Sequence, residues 1–174
     1  MPQDAQTPGL AAAFRAAFAA HPAGVAIVTA AGPDGPAGIT ASSVISVSAE
    51  PPVLALSIMP SSESGAALLA AETLAVHLLT NANRRLAELF ARPGSHRFGF
   101  NMDWYTAPTG EPIIRGVNIV LRCKPLDRMP AGTGIVLAAQ VLQILDGGSI
   151  AQPLVYQRQT YYALDTWSAL RARA

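Results

Sequence analysis

Leu10, Phe14 and Phe18 recur four residues apart in "GLAAAFRAAFAAHPAG", one stripe of a helix that Pro22 and Gly24 bring to an end. The pattern then turns strand-like. "GVAIVTAAGPDGPAGITASS" reads as a strand, a Pro-Asp-Gly turn and a second strand, which makes a hairpin. "PPVLALSI" is a third strand, set apart from the second by Pro51-Pro52. "SSESGAALLAA" predicts a short helix and "TLAVHLL" a strand. "NANRRLAELFA" predicts a helix capped by Asn81 or Asn83, with Leu86, Leu89 and Phe90 on its buried face and Pro93-Gly94 after it. Residues 94–112 are irregular. "IIRGVNIVLRCKPLD", "GIVLAAQVLQILD" and "PLVYQRQTYYAL" are three more strand-like runs, with turns at 130–132 and 147–148. "DTWSALRARA" predicts a short terminal helix capped by Asp165. Strands outnumber helices and do not alternate with them, which argues against a doubly wound parallel sheet. The expectation is a mainly β, antiparallel barrel with peripheral helices, one domain over residues 1–174, with a flexible N-terminal segment at 1–8.

Composition adds an association prior. Apolar residues make up 51% and charged residues only 13%, about half the usual ~25%. So apolar a chain is expected to bury part of its surface against a second copy. A net charge of +1 gives no electrostatic case for nucleic acid or an anionic membrane. Cys123 is the only cysteine, which excludes an internal disulfide and a CxxC site. "MPQDAQTPG" lacks the basic-then-apolar pattern of a signal peptide, and no apolar run reaches membrane-spanning length. A cytoplasmic protein is expected.

Much chemistry is missing. The carboxylates lie scattered in turns, with no two at a spacing that suggests a paired acid and base. His21, His77 and His96 have no metal-ligand spacing among themselves or with Cys123. There is no GxSxG elbow. Gly32, Gly35 and Gly38 belong to a hairpin, and Gly132 and Gly134 precede a strand, so neither set can put a pyrophosphate on a helix N-terminus. No catalytic side chain and no metal site is expected.

One stretch stands out against this background. "GITASSVISVSAEPPVLALSI", from Gly38 to Ile58, is apolar yet seeded with Thr40, Ser42, Ser43, Ser46 and Ser48, and carries no charge before Glu50. Read as a continuous strand, it places Thr40, Ser42 and Ser46 on one face with Val44. Ile39, Ala41, Ile45 and Val47 then face the core with Ser43. Two readings remain open. The hydroxyls of a half-exposed strand simply meet water, or they form a ligand face. Hydroxyls and backbone N–H groups can hold a phosphate or a neutral heterocycle without a basic cluster.

In its order and spacing the chain resembles the flavin reductase-like family, FMN-binding split barrels that include the small reductase components of two-component monooxygenases. The likeness runs roughly from Phe14 to Tyr161. "HPAGVAIVTA" is similar to the family's opening strand, and "GITASSVISVSAEPPVLALSI" to its G-x-T-x-S-S, S-V-S and Pro-Pro signature. "SSESGAALLAAETLAVHLL", "HRFGF" and "GEPIIRGVNIVLRC" resemble its following segments. The resemblance implies a homodimer with FMN or FAD in a cleft near the subunit interface, and NAD(P)H as hydride donor. Reduced flavin would go to a partner oxygenase. The redox step belongs to the flavin, with the protein supplying orientation and polarity. It also implies cofactor contacts from Thr40, Ala41, Ser42, Ser43, Ser57, Ile58, Ser62, Ser64, Arg97, Phe98 and Tyr161.

The departures bear on function. The histidine usual before the penultimate long strand is Gly134 here, and the glycine after it is Ala139, which puts nicotinamide docking in question. His77 stands in place of asparagine, and Gln159 in place of the glycine of a terminal G-x-Y, although Tyr161 is kept. Two rivals remain: a flavoprotein that reduces another compound, such as a corrinoid, and an FMN-binding dimer without turnover. Among single residues, His77 reads as a core histidine, His96 as a loop residue, Cys123 as a small buried apolar residue and Trp104 and Tyr105 as a barrel cap.

Overall fold

The computed structural model describes residues 9–148 and 151–170. The expected flexible segment at 1–8 lies outside them. Seven strands form one antiparallel sheet: β2 (Ala26–Gly32), β3 (Gly35–Ala41), β4 (Ile45–Ala49), β5 (Pro52–Ile58), β6 (Leu74–Leu78), β9 (Ile119–Ala131) and β10 (Gly134–Asp146). Their order is β3-β2-β6-β9-β10-β5-β4. The two edge strands, β3 and β4, are consecutive in the chain and joined only by residues 42–44. A link that short spans about 10 Å, so the sheet must curl until its edges nearly meet. The result is a barrel split along one seam, and Ser42-Ser43-Val44 crosses the split.

Two smaller sheets pack outside it. β1 (Ala23–Gly24), β11 (Leu154–Gln157) and β12 (Thr160–Ala163) form one, and β7 (Trp104–Thr106) and β8 (Pro112–Ile114) the other. Three helices are peripheral: α1 (Leu10–Ala20), α2 (Glu63–Ala70) and α3 (Arg84–Ala91). The length of β9 and β10, 13 residues each, is reconciled with barrel curvature by register shifts between Ala138 and Ala139 and between Val141 and Gln143.

The period-two pattern gives the core directly. Val28 and Ala30 on β2, Leu54, Leu56 and Ile58 on β5, Leu74 and Val76 on β6, and Leu137 and Ala139 on β10 point inward, joined by Leu68 of α2. The opposite face of β2 is buried too. Ile27 packs with Ala87 and Phe90 of α3 and with Ile114 and Leu154. A strand buried on both faces reads as the continuous run "AIVTA" and not as an alternation. His77 of β6 lies on that outer face with no exposed surface. Its Nδ1 is 3.2 Å from the Ile27 carbonyl and its Nε2 accepts the Ile114 N–H at 3.0 Å. It is therefore a neutral core histidine whose ring ties β2, β6 and β8 together.

The structure corrects several expectations. Leu10, Phe14 and Phe18 are 88%, 60% and 61% exposed; the stripe exists, but nothing among the described residues covers it. The stretch from Gly38 onward is two strands with a break at 42–44, so the two-face assignment holds for Ile39 and Ala41, which pack on the core, and fails beyond the break. Ile45 and Val47, expected in the core, are exposed on the edge strand β4. The segment 94–112 contains β7. The terminal helix shrinks, within the described residues, to a single 3-10 turn at Thr166–Ser168, capped by the Asp165 carboxylate.

Candidate functional site

The seam is where the hydroxyls collect. A groove of about 610 Å³ runs beside it, lined by Thr40, Ala41, Ser42, Ser43, Ser57, Ser62, Ser64 and Arg97 among the residues named from the sequence. They come from four separate segments, Arg97 from the loop after α3. β3 and the bridge bring 40–43, the end of β5 brings Ser57, and the start of α2 brings 62–64.

Each hydroxyl has its own local task. Ser43 Oγ accepts the Ser57 N–H at 3.0 Å and lies 3.2 Å from the Ser57 carbonyl. It stands in for the missing backbone partner just where β4 has not yet begun to pair with β5, so the ladder is continued across the split by a side chain. Thr40 Oγ1 donates to the Ala87 carbonyl at 2.7 Å, anchoring the first half of α3 on β3. Ser62 caps α2, its Oγ accepting the Gly65 N–H at 3.0 Å. The Glu63 and Ser64 amides remain, and a helix cannot satisfy these internally. The chain turns so tightly into α2 that a Cβ on Gly65 would lie 2.0 Å from the Met59 carbonyl oxygen. Ser42 is exposed, with no competing bond among those described.

Arg97 closes one end of the groove. Its Nη1 donates to the Gly38 carbonyl at 2.7 Å and to Ser64 Oγ at 2.6 Å, and its Nη2 to the Arg92 carbonyl at 2.9 Å. Its Nε is buried without a partner. No carboxylate among the described residues pairs with it. Desolvation pulls its pKa below the ordinary arginine value. A partly buried cation with no counter-charge, next to a helix N-terminus with open amides, suits an anion. The rest of the wall carries the hydroxyls, the Glu63 carboxylate and the apolar side chains of Ile39, Met59 and Phe90, and the Arg97, amide and hydroxyl donors fit a phosphorylated flavin.

Three residues named from the sequence lie elsewhere. The Ile58 side chain is wholly inside the barrel, so only its backbone could face a ligand. Phe98 stacks edge-on against Phe90 and Trp104, and its exposed part lines a second groove. Tyr161 packs against Tyr156 in the cluster around Ile27 and is not on the groove wall. Sequence reasoning missed Met59 and the Pro93-Gly94 corner, both on the wall. Pro93-Gly94 was legible only as a helix stop. Gly134, where the histidine was expected, opens β10 beside this wall. A Cβ there would meet Ser57 Oγ at 3.3 Å and Met59 Sδ at 3.5 Å, so Met59 occupies the space beside it. Cys123 is buried, and burial together with the Glu111 charge pushes its pKa up to about 12, which makes it inert.

The described residues hold no cluster of three or more His, Cys, Asp or Glu side chains that could take a metal ion. Glu111 is buried, but it is paired with Arg122 at 2.6 Å and bonded by Thr73 and Thr109. Burial works to raise its pKa, and those hydrogen bonds outweigh burial and lower it. It is a structural brace and has no part in the groove.

Comparison with known proteins agrees with this architecture. The chain is 39% identical over 170 residues to an NADH:FMN oxidoreductase of Rhodococcus qingshengii, covering 93% of this chain and 88% of the relative. A flavin reductase domain protein from Arthrobacter sp. FB24 superposes with a TM-score of 0.86 at 31% identity, covering 95% of this chain and all of that one. BorF, the flavin reductase component of a bacterial two-component tryptophan halogenase, superposes at 0.79 with 25% identity over 88% of this chain and 98% of its own. The profile described as "Flavin reductase like domain" matches residues 18–165, and the chain belongs to that family.

Proposed function

We propose that the protein is an NADH-dependent flavin reductase which binds FMN or FAD along the seam groove and supplies reduced flavin to a partner oxygenase. The observation that carries this is the convergence of Ser42, Ser43, Ser57, Ser62, Ser64 and Arg97 on one groove in a chain of this family. Bound flavin supplies the two-electron chemistry by accepting a hydride from the nicotinamide. The chain's own part is positioning. Arg97 and the α2 amides hold the phosphate, and the 42–43 bridge and Ser57 offer hydroxyls and backbone N–H groups to the ring edge. Met59 and Gly134 leave an apolar, uncharged flank beside the ring, on which a nicotinamide can stack. No side chain needs to move a proton.

The working unit proposed is a homodimer in the cytoplasm, built from one domain per chain. The uncovered apolar stripe of α1, together with Ile45, Val47, Leu142 and Ile144, supports association with a second copy. Among the described residues no helix is long and apolar enough to cross a membrane. The test is anaerobic stopped-flow mixing of flavin-loaded protein with NADH and, separately, NADPH. Bleaching of the flavin absorbance is expected, faster with NADH. A spectrum unchanged over minutes with both donors would overturn the assignment. Sedimentation at low micromolar concentration should give a single species of twice the chain mass.

A further inference from the structure

The end of β5 places one oxidisable side chain on the seam groove. Ile58 points into the barrel, so the period of two turns Ser57 and Met59 outward onto the groove wall. Met59 is the one sulfur-bearing residue among those lining that groove, and it is 48% exposed. Its main chain is held, because the turn into α2 packs the Met59 carbonyl against Gly65. Its Sδ faces Gly134, where a Cβ would already lie 3.5 Å away. A longer side chain at 134 would shield the sulfur, and glycine leaves that flank open.

The other described methionines sit differently. Met102 is half-buried against the cluster around Ile27. Met129 is 57% exposed, but on β9 and away from the groove wall. Exposure alone does not single Met59 out. Its place beside the flavin groove does.

Flavin reduction also generates an oxidant. Reduced flavin that leaves the protein and meets dioxygen in place of a partner oxygenase passes two electrons and two protons to it, giving oxidised flavin and hydrogen peroxide. A lone pair on the Met59 sulfur attacks one peroxide oxygen. An S–O bond forms as the O–O bond breaks, and the second oxygen leaves with both protons as water. The sulfur has lost two electrons, and the product is a sulfoxide. That group is polar, accepts hydrogen bonds and donates none, so an apolar flank of the groove becomes one that favours water over a ring. The sulfur is uncovered once the reduced flavin has left, which is when peroxide forms.

We propose that Met59 is an oxidation-sensitive site whose conversion to the sulfoxide lowers flavin affinity, so that a reductase running without an acceptor for its reduced flavin slows itself. This rests on the flavin reading of the seam groove.

Full-length wild type, Met59→Leu and Met129→Leu are treated with graded hydrogen peroxide, with and without saturating FMN, and catalase then removes the peroxide. Peptide mass mapping follows the oxygen added at each methionine. Flavin fluorescence titration gives the FMN dissociation constant, and each protein is compared with its own untreated sample. In wild type, oxygen gained at Met59 should track a loss of FMN affinity of about tenfold. Saturating FMN should slow oxidation of Met59 several-fold and leave that of Met129 unchanged. Met59→Leu should keep its own initial affinity, and Met129→Leu should lose affinity as wild type does. Methionine sulfoxide reductases, one for each epimer, should restore the wild type. Full oxidation of Met59 with FMN affinity unchanged would overturn the switch, as would an equal loss in Met59→Leu or oxidation of Met59 that FMN does not slow. Should the untreated chain bind no FMN, the seam reading fails before any peroxide is added, and the switch falls with it.

Discussion

His77 gives the fold an acid-sensitive joint. The ring is fully buried, its two nitrogens are bonded to the backbone of Ile27 and Ile114, and burial lowers its pKa from 6.5 to about 4. Protonation would replace an acceptor with a second donor facing the Ile114 N–H, so the folded state resists the proton while the unfolded chain takes it up near 6.5. As pH falls between these values the unfolded state binds more protons than the folded one, and stability falls with pH. From the two pKa values the penalty is about 1 kcal/mol at pH 5.5 and about 2–3 kcal/mol at pH 4.5. Above pH 7.5 it vanishes. His77→Asn cannot titrate. At pH 7.5 it should be the less stable protein, because a shorter side chain leaves space and at least one backbone group unpaired, at about 1–3 kcal/mol. On acidification the gap should close by the amounts above, and the two curves should meet near pH 5. Guanidinium melts followed by the fluorescence of Trp104 and Trp167, at pH 7.5, 5.5 and 4.5, measure this. Histidine ring nitrogen shifts should show the Nδ1–H tautomer throughout. A stability gap that is constant with pH, or a His77 ring titrating near 6.5, would refute the reasoning.

Four further changes probe the seam and its surroundings. Ser43→Ala should destabilise by about 1 kcal/mol, because Ser57 loses its partner across the split, and should weaken flavin binding several-fold. Thr40→Val should lose a similar amount of stability through α3 and leave flavin affinity near wild type. Parallel urea melts and flavin titrations compare the two, and equal effects on affinity would place the Thr40 hydroxyl on the ligand. Gly65→Ala forces a methyl against the Met59 carbonyl. It should cost about 1–3 kcal/mol or more and abolish tight flavin binding by displacing the start of α2, as thermal melts and fluorescence titration would show. Gln159 and Arg158 form the β11–β12 turn with φ of 60° and 47°, a conformation glycine adopts freely. Gln159→Gly should therefore stabilise by about 0.5–1 kcal/mol, raising Tm by roughly 1–4 °C in calorimetry.

How much was legible in the chain follows from what each signal depends on. The hairpin at 32–35, the helices α2 and α3, and the strand β10 rest on local periodicity and turn residues, and they appear where the pattern puts them; the run "IIRGVNIVLRCKPLD" is instead divided by a turn at 115–116 between β8 and β9. The face assignment of the hydroxyl run failed beyond the break because strand alternation presumes one uninterrupted strand. Closing a barrel requires the chain to leave one edge and join the other, and no local pattern marks that crossing at Ser42–Val44. The α1 stripe was legible as a stripe, and its cover was not, because a helical period says that a face is apolar and not what covers it. The groove was half legible. T-x-S-S and the α2 cap come from contiguous residues. Met59 and the 93–94 corner reach the wall only through tertiary packing.

The hydroxyls themselves turn out to answer two constraints at one place. A split barrel needs something to satisfy backbone groups where the ladder stops, and Ser43 does this for Ser57. It also needs its flanking helices fixed against the seam, which Thr40 does for α3 and Ser62 for α2. Valine in those positions would keep the shape of a strand and leave buried or half-buried N–H and C=O groups without partners, at about 1–3 kcal/mol each. At Ser43 and Ser62 the same substitution would also take a hydroxyl from the groove wall. A seam that must be polar to hold itself together is therefore already most of a binding wall for a neutral, carbonyl-rich ring. The addition that turns it toward a phosphate ester is one cation, Arg97, held from Gly38, Ser64 and Arg92 and, among the described residues, without a carboxylate partner. Arg97→Met should then separate the two constraints. The seam bonds stay, so the barrel folds, while affinity falls for FMN and FAD and riboflavin, which has no phosphate, binds as before. Equal losses for riboflavin and FMN in titrations of that variant would mean that Arg97 acts by shaping the wall and not by charge.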